Sequence, residues 1–312
     1  MERHLFKATV TIRESVANAK RPKDLERVRG EGVFTGKLVK SLVIDGNPLL
    51  KSFFEKVSGS APKLIHVSPL YIERVINGRK QVKCIHRYGD VYSNRTAKYC
   101  FYVGLVESSV VRSPTSDEVY RALLDLSGCH QFRTHVLHVE LLSVEAMDVA
   151  REARKVMSYL NTFGKVKVVF SSPTLLRDPF RGGKHKSLIP TPINMFSTPV
   201  YINLFLTGKF RQRTLTRMLI TLHRLLNEPY SIYKTVRVML VKYHEDKNPI
   251  PALIGYVNLF LNRHYYEQYV SRGIDLGVLL EETFSTMLTL GTGTSRATGF
   301  GHITITTPTS GS

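Results

Sequence analysis

The sequence predicts an α+β protein made of two successive β-α-β-β-α-β units, residues 1–160 and 161–312, with a glycine-rich loop before the last strand. Three observations predict it. At roughly 100–200 residues per domain, 312 residues suit two domains. The apolar period switches between two and about 3.6 in the same order in each half. Finally, the positive charge is divided almost equally between the halves.

In the first half, His4 to Arg13 alternates apolar and polar residues and is rich in β-branched side chains, as strands are. A basic stretch, Ala19 to Glu31, follows. Phe34, Leu38, Val39, Leu42 and Val43 then fall on one helical face, and Gly46 ends the helix. Asn47-Pro48 opens a second short helix, Leu49 to Val57, with proline at a favoured first position. Leu64 to Val75 and Val82 to Tyr88 read as strands joined by Asn77-Gly78, a strong hairpin signal. Lys98 to Val106 is the next strand. Ser116-Asp117 caps a helix over Glu118 to Leu126, and Gly128 ends it. Arg133 to Val144 alternates again, and 146–160 is helical and leads into the second half.

The second half repeats this order without repeating the residues. Lys165 to Phe170 is a strand. Basic loops lead to a helical region, Phe196 to Leu226, broken near Gly208. Thr235 to Tyr243 and Ala252 to Leu261 are strands. Asp275 caps a helix to Leu290, and His302 to Thr306 closes as a strand. The tail, Thr307 to Ser312, is small and polar. Each half thus has the ferredoxin-like element order.

Composition excludes several classes. Apolar residues are 43% and charged residues 22%, which is globular rather than disordered or collagen-like. The charged start, Met1-Glu2-Arg3-His4, is unlike a secretory signal. No apolar run approaches the roughly 18 residues of a membrane span. Cys84, Cys100 and Cys129 lack a CxxC spacing and suit free thiols, so a cytoplasmic location is expected. Lys and Arg total 44 against 25 Asp and Glu, a net charge of +19. The first half has 26 basic and 17 acidic residues, net +9, and the second has 18 and 8, net +10. The folded body itself therefore calls for a polyanion: nucleic acid, ribosome or anionic surface.

The sharpest local feature is the run from Gly291 to Gly301, GTGTSRATGFG, with four glycines, four hydroxyl side chains and one arginine. Gly291, Gly293, Gly299 and Gly301 could turn backbone amides onto an anion, with Ser295 beside them and Arg296 as a forked phosphate contact. The same composition also suits a plain tight connection. It is not a Walker A motif, because no Gly-Lys-Ser/Thr follows. Two further basic patches suit phosphate tracking: RDPFRGGKHK, with Arg181, Lys184 and Lys186, and KFRQRTLTR, with Arg211 and Arg213. A solvated charged face is the competing reading of each. His130, His135 and His138 cluster in sequence, but His135 and His138 are three apart on a strand and face opposite sides. No HExxH, zinc-finger spacing or GxSxG is present. A two-metal site needs converging carboxylates, which the second half is short of. No metal and no cofactor is expected.

These segments together resemble a known family. GTGTSRATGFGHITI, Gly291 to Ile305, resembles the C-terminal glycine-rich signature of the RAMP proteins of CRISPR systems. FSSPTLL, Phe170 to Leu176, and Ile254-Gly255-Tyr256-Val257 resemble segments of one RAMP family, the sixth numbered Cas family. Its members are endoribonucleases that cut precursor CRISPR repeat RNA. The resemblance spans essentially the whole chain. It implies RNA lying on the basic face between and across the two domains. It also implies metal-independent cleavage, in which the 2′-hydroxyl attacks the adjacent phosphorus and leaves a 2′,3′-cyclic phosphate and a 5′-hydroxyl. Family positions place Lys40 on the first helix and Lys63 before the next strand, both assigned chiefly to stabilising charge on the phosphate. The family's usual histidine position falls near Glu55, a departure, and His66 is the candidate substitute. A non-catalytic RAMP subunit that binds RNA in a CRISPR effector complex is the alternative. The sequence leaves open whether the chain acts alone, as a homodimer or in such a complex.

Overall fold

The structure is a computed structural model that describes residues 2–14, 34–55, 61–76, 79–87, 91, 97–133, 135–181, 186–228, 232–243 and 248–306. The basic stretch 19–31, the Asn77-Gly78 turn, Lys184 and the tail 307–312 lie outside them.

The first half runs β1 (Glu2–Glu14), α1 (Thr35–Gly46), α2 (Lys51–Phe54), β2 (Ile65–Val67), β3 (Leu70–Ile76), β4 (Arg79–Ile85), β5 (Tyr99–Glu107), α3 (Ser116–Leu124), β6 (Gly128–Phe132) and β7 (His135–Met147). Its antiparallel sheet has the order β4-β3-β5-β1-β7-β6, with β2 also on β5. The central run β3-β5-β1-β7 interleaves the strands as β-α-β-β-α-β crossovers require. Alternation along β1 buries Phe6, Ala8, Val10 and Ile12 against Leu38, Leu42 and Leu123 of the helices. Three details differ from the sequence reading. Ser68-Pro69 splits the expected strand into β2 and β3, because proline has no N–H for the ladder. The α3 cap is Thr115, in a capping box with Glu118, one residue ahead of Ser116-Asp117. β6, expected as loop, forms a hairpin with β7.

The second half follows α4 (Val149–Phe163). It contains β8 (Lys165–Thr174), β9 (Leu176–Arg177), β10 (Lys186–Ser187), α5 (Pro192–Leu206), α6 (Gln212–Leu225), β11 (Leu226–Asn227), α7 (Ile232–Thr235), β12 (Val236–Val241), β13 (Ile250–Leu261), α8 (Arg263–Val270), α9 (Leu276–Leu290) and β14 (Ile303–Thr306). The second antiparallel sheet has the order β11-β13-β8-β14, with β12 also on β13. α4 starts at the Asp148 cap and ends at Gly164 in the left-handed region, φ 68°. Its Val156, Met157 and Leu160 join the second core, not the first. The helical break near Gly208 separates α5 from α6. The Asp275 side chain accepts from Val278 N–H at the start of α9, as expected of an N-cap.

The halves meet through α9. One side of α9 sends Phe284 and Met287 into the second core. The other lies on the first sheet, where a Cβ at Gly104 of β5 would come within 1.8 Å of the Thr289 carbonyl oxygen. Arg3 of β1 donates to Thr286 Oγ1 at 3.0 Å and pairs with Glu282. Leu64, Val106, Ile202, Leu206 and Leu290 form an apolar cluster across the same junction. The helix layer of the second half is thus sandwiched between the two sheets.

Candidate nucleic-acid cleft

α1 starts with Thr35-Gly36, and Gly36 lets it dock on the turn at 296–299. A Cβ on Gly36 would lie 2.4 Å from Thr298 O and 2.6 Å from the Gly299 Cα. One turn further, Lys40 projects over the Phe54 ring, with Nζ 5.6 Å from the centroid. Lys63, just before β2, donates through Nζ to Phe54 O at 2.7 Å and so caps the end of α2. Lys40, Phe54 and Lys63 then line a cleft of about 430 Å³ with Tyr243 and the loop residues Gly293, Thr294, Ser295, Arg296, Ala297 and Thr298. The structure therefore brings Lys40 and Lys63, from the first half, onto the glycine-rich loop of the second.

The glycines of that loop serve close backbone approach. Gly291 and Gly301, at φ 70° and 75°, face each other across the Thr292 N–H to Gly301 O bond of 2.9 Å. A Cβ on Gly293 would lie 2.3 Å from Leu175 O. The N–H groups of Thr294 and Gly301 go to Leu175 O and Pro173 O. That ties the loop to the FSSPTLL segment, whose amide partners it consumes. Gly291, Gly293, Gly299 and Gly301 are buried, so the expectation that they cradle an anion is replaced by a tight connection. The residues that face outward are Thr294, Ser295 and Thr298, and Ser295 is held at φ 60°. A non-glycine residue there costs conformational energy, and such positions cluster at functional sites.

Arg296 is also reassigned. Its guanidinium is 8% exposed and donates to Leu290 O at 3.0 Å and Lys63 O at 3.1 Å. Two of its five N–H donors thus close the end of α9 and fix the Lys63 backbone, a structural use of a side chain that also lines the cleft. Burial lowers its pKa to about 10, and its charge still reaches the cleft.

His66 does not supply acid–base chemistry in this geometry. It is fully buried, with Nδ1 2.9 Å from Arg296 O and Nε2 3.1 Å from His302 Nδ1. A carbonyl only accepts, so His66 Nδ1 carries the proton and Nε2 accepts from His302 Nδ1–H. His302 Nε2 is then a bare acceptor, and it has no partner among the described residues. Both rings are consistently neutral. Burial pushes His66 well below the ordinary value, helped by His302 and Arg296, and takes His302 down to about 3.

Positive charge shapes the cleft. Burial lowers the pKa of Lys40, opposed by Glu55. Burial also lowers that of Lys63, with further lowering from Lys40 and Arg296. Among the described residues, no Asp or Glu lines the cleft. One group elsewhere, Glu2, His4 and Glu107, brings possible metal-ligating atoms within 4.8 Å, but it sits on paired β1 and β5. Glu107 there already accepts from the Ser116 N–H.

Arg181, Lys186, Arg211 and Arg213 do not line the cleft. Arg181 is exposed, 3.4 Å from Asp178, Lys186 belongs to β10, and Arg211 and Arg213 are exposed at the start of α6. Two cleft residues were missed from sequence. Phe54 reads as an ordinary apolar helix residue. Tyr243 takes the Lys37 ammonium over its ring at 4.3 Å and packs edge-on to Phe300 at 5.6 Å. Its only sequence signal is an aromatic beside Lys242 at a strand end.

No protein-family profile matches the chain, and no curated protein matches it in sequence. Solved structures match it along its length. A Cas6 product complex aligns with TM-score 0.56 at 13% identity, covering 97% of this chain and 99% of that one. Cas6 of Thermus thermophilus aligns with TM-score 0.50 at 11% identity over 97% and 98% of the two chains. A chain of a partial Cas6-RT-Cas1--Cas2 complex aligns with TM-score 0.54 at 11% identity, over 99% of this chain and 47% of that longer one. The chain therefore shares its fold, end to end, with Cas6 proteins. No helix is long and apolar enough to cross a membrane, among the described residues.

Proposed function

We propose that this chain is a metal-independent endoribonuclease that cleaves CRISPR precursor RNA within its repeats. The 2′-hydroxyl attacks the adjacent phosphorus, and the products carry a 2′,3′-cyclic phosphate and a 5′-hydroxyl. One observation carries the reading: Lys40 and Lys63 share a cleft with Ser295 and the loop hydroxyls, at the junction of two basic halves. Attack of an internal hydroxyl piles negative charge on the non-bridging oxygens. Two cations with lowered proton affinity stabilise that charge; the 2′-hydroxyl gives its proton to solvent, and either ammonium passes one to the departing 5′-oxygen and is reprotonated from solvent. Lys63 keeps two N–H donors for the phosphate after its bond to Phe54 O. Thr294, Ser295 and Thr298 hold the sugar-phosphate backbone in line. Among the described residues the lining holds no carboxylate, which supports metal independence, because metal-assisted phosphoryl chemistry needs acidic ligands.

One finding favours a second reading, a RAMP-type subunit that binds RNA without cutting it. Among the described residues no histidine lines the cleft, and His66 is locked to Arg296 and His302. A single experiment separates the two. Repeat RNA is incubated with the protein in EDTA and the product ends are analysed. Fragments ending in a 2′,3′-cyclic phosphate are expected. Tight binding without fragments establishes the binding subunit, and cleavage only on adding a divalent cation contradicts metal independence.

A further inference from the structure

The face of the second sheet that points away from the helices is not used by the cleft. Along β8, Val166, Val168 and Phe170 point into the core, so Lys165 and Lys167 point to the opposite face. Along β13, Val257 and Leu259 are buried, so Tyr256, Asn258 and Phe260 share that outer face with the lysines. The register confirms the grouping, with Tyr256 opposite Val169, Asn258 opposite Lys167 and Phe260 opposite Lys165. α9 and the other helices pack on the opposite face, and the end of this face at Met239 and Ala252 is covered by Phe34 and Phe300, which leaves Lys165, Lys167, Tyr256, Asn258 and Phe260 exposed or half-exposed. Phe260 is 41% exposed, and Tyr256 is half-buried with the Lys167 ammonium 3.8 Å from its ring centre.

We propose that this outer sheet face is a second RNA-binding surface, a platform on which bases of a single-stranded segment stack against Tyr256 and Phe260. This inference rests on the reading of the chain as an RNA-processing protein. Four residues apart on one strand, the rings stand about 14 Å from each other, at ~3.4 Å per residue, with Asn258 between them. Aromatic side chains spaced along a central strand of an antiparallel sheet are how such folds take unpaired bases, because every base offers a π-face. The charge fits the same partner. No Asp or Glu occurs in β8, β12, β13 or β14, whereas the first sheet carries Glu2, Glu73, Glu107 and Glu140. Lys165 and Lys167 flank the rings, and Arg237, exposed on β12 opposite Ile254, adds a third cation to the face. The Lys167 contact holds the Tyr256 ring, and a half-exposed lysine gives up such a contact for a phosphate at little cost. A protein partner would call for an apolar centre without this uniform positive charge.

The test uses a fluorescein-labelled single-stranded RNA of about ten nucleotides, within the site sizes such platforms cover. Its affinity is measured by anisotropy for the full-length protein and for three variants: Y256A/F260A, K165E/K167E and K40A/K63A. The first two are expected to weaken binding by about tenfold or more at fixed salt, since stacking and phosphate neutralisation each contribute on that scale. K40A/K63A is expected to lose cleavage of repeat RNA and to weaken binding of this probe less than either sheet variant does. All residues changed on the sheet are exposed or half-exposed, and an unchanged thermal midpoint checks the fold. As a second measurement, a 4-thiouridine RNA should crosslink to the peptide carrying Tyr256 and Phe260. Parent-like affinity in both sheet variants, together with no crosslink there, overturns the platform while leaving cleavage intact. A parent protein that binds no RNA overturns the underlying reading and the platform with it.

Discussion

Lys63 does two things at once: its backbone carbonyl receives Arg296, and its ammonium is tied to Phe54 O beside Lys40. Removing either cleft lysine should cost cleavage far more than binding. Lys40→Ala or Lys63→Ala is expected to slow single-turnover cleavage by about 10²–10³-fold, the scale for deleting one preorganised charge-stabilising donor. A fall of less than about threefold in both would contradict their role. The pH dependence follows from the lowered lysine pKa values. Cations are lost as pH rises, and for these two lysines the loss begins below the usual 10.5. Cleavage above the alkaline background should therefore decline on the basic side. It should show no acidic limb near 6.5, since no histidine lines the cleft among the described residues. A rate profile with a histidine limb would place the acid or base elsewhere. Arg296 belongs to a different class of test. Arg296→Ala strands two carbonyls in a buried site and should lower stability by about 2–4 kcal/mol, read as a denaturant midpoint.

At the scale of elements, the contact between α1 and the 291–301 loop positions the cleft. Gly36 against Gly299, and Gly293 against Leu175, leave no room for a methyl group. Gly293→Ala also meets a φ of 75°, so it is expected to cost about 2–4 kcal/mol or to abolish folding, whereas Ser295→Gly should be tolerated in stability. Equal thermal midpoints for parent and Gly293→Ala would show that the loop relaxes freely. Much of this level was legible in the sequence, because the cues are local. Asp275 before α9, Gly164 after α4 and the alternation of β1 each act within a few residues. α8 was not legible, since its RHYYEQYV sequence meets the core only through the half-buried Tyr265, Tyr266 and Tyr269 and it buries no residue fully. The loop was legible as a feature but not in its purpose. Its composition fits an anion nest and a close-packed connection equally, and only the positions of Leu175 and Pro173 decide for the latter.

For the whole molecule, the two halves are joined by buried polar groups drawn from far apart in sequence. His66 meets His302 across 236 positions, and Arg3 meets Thr286 across 283. No spacing rule reveals such pairs, which is why His66 reads as a candidate catalytic histidine in the sequence and is a neutral structural group in the fold. The pair makes the junction acid-sensitive. Unfolded, the rings take up protons near 6.5, but folded His302 does so only near 3. Between these values the unfolded chain binds more protons, so stability falls as pH drops from about 6.5 towards 3. Thermal midpoints across that range should decline while both buried rings stay neutral by NMR, and a flat profile would contradict the neutral pair. The net charge of +19, split +9 and +10, acquires a layout from the fold: both halves contribute cations to one cleft whose described lining holds no carboxylate. The central claim is that RNA's own 2′-hydroxyl is the nucleophile there. It is tested most directly by timing cleavage, in EDTA, of repeat RNA with one 2′-deoxy substitution at the scissile nucleotide. Complete block of cleavage with unchanged binding is predicted, and cleavage of the deoxy substrate at the rate of the all-ribose RNA would contradict the claim.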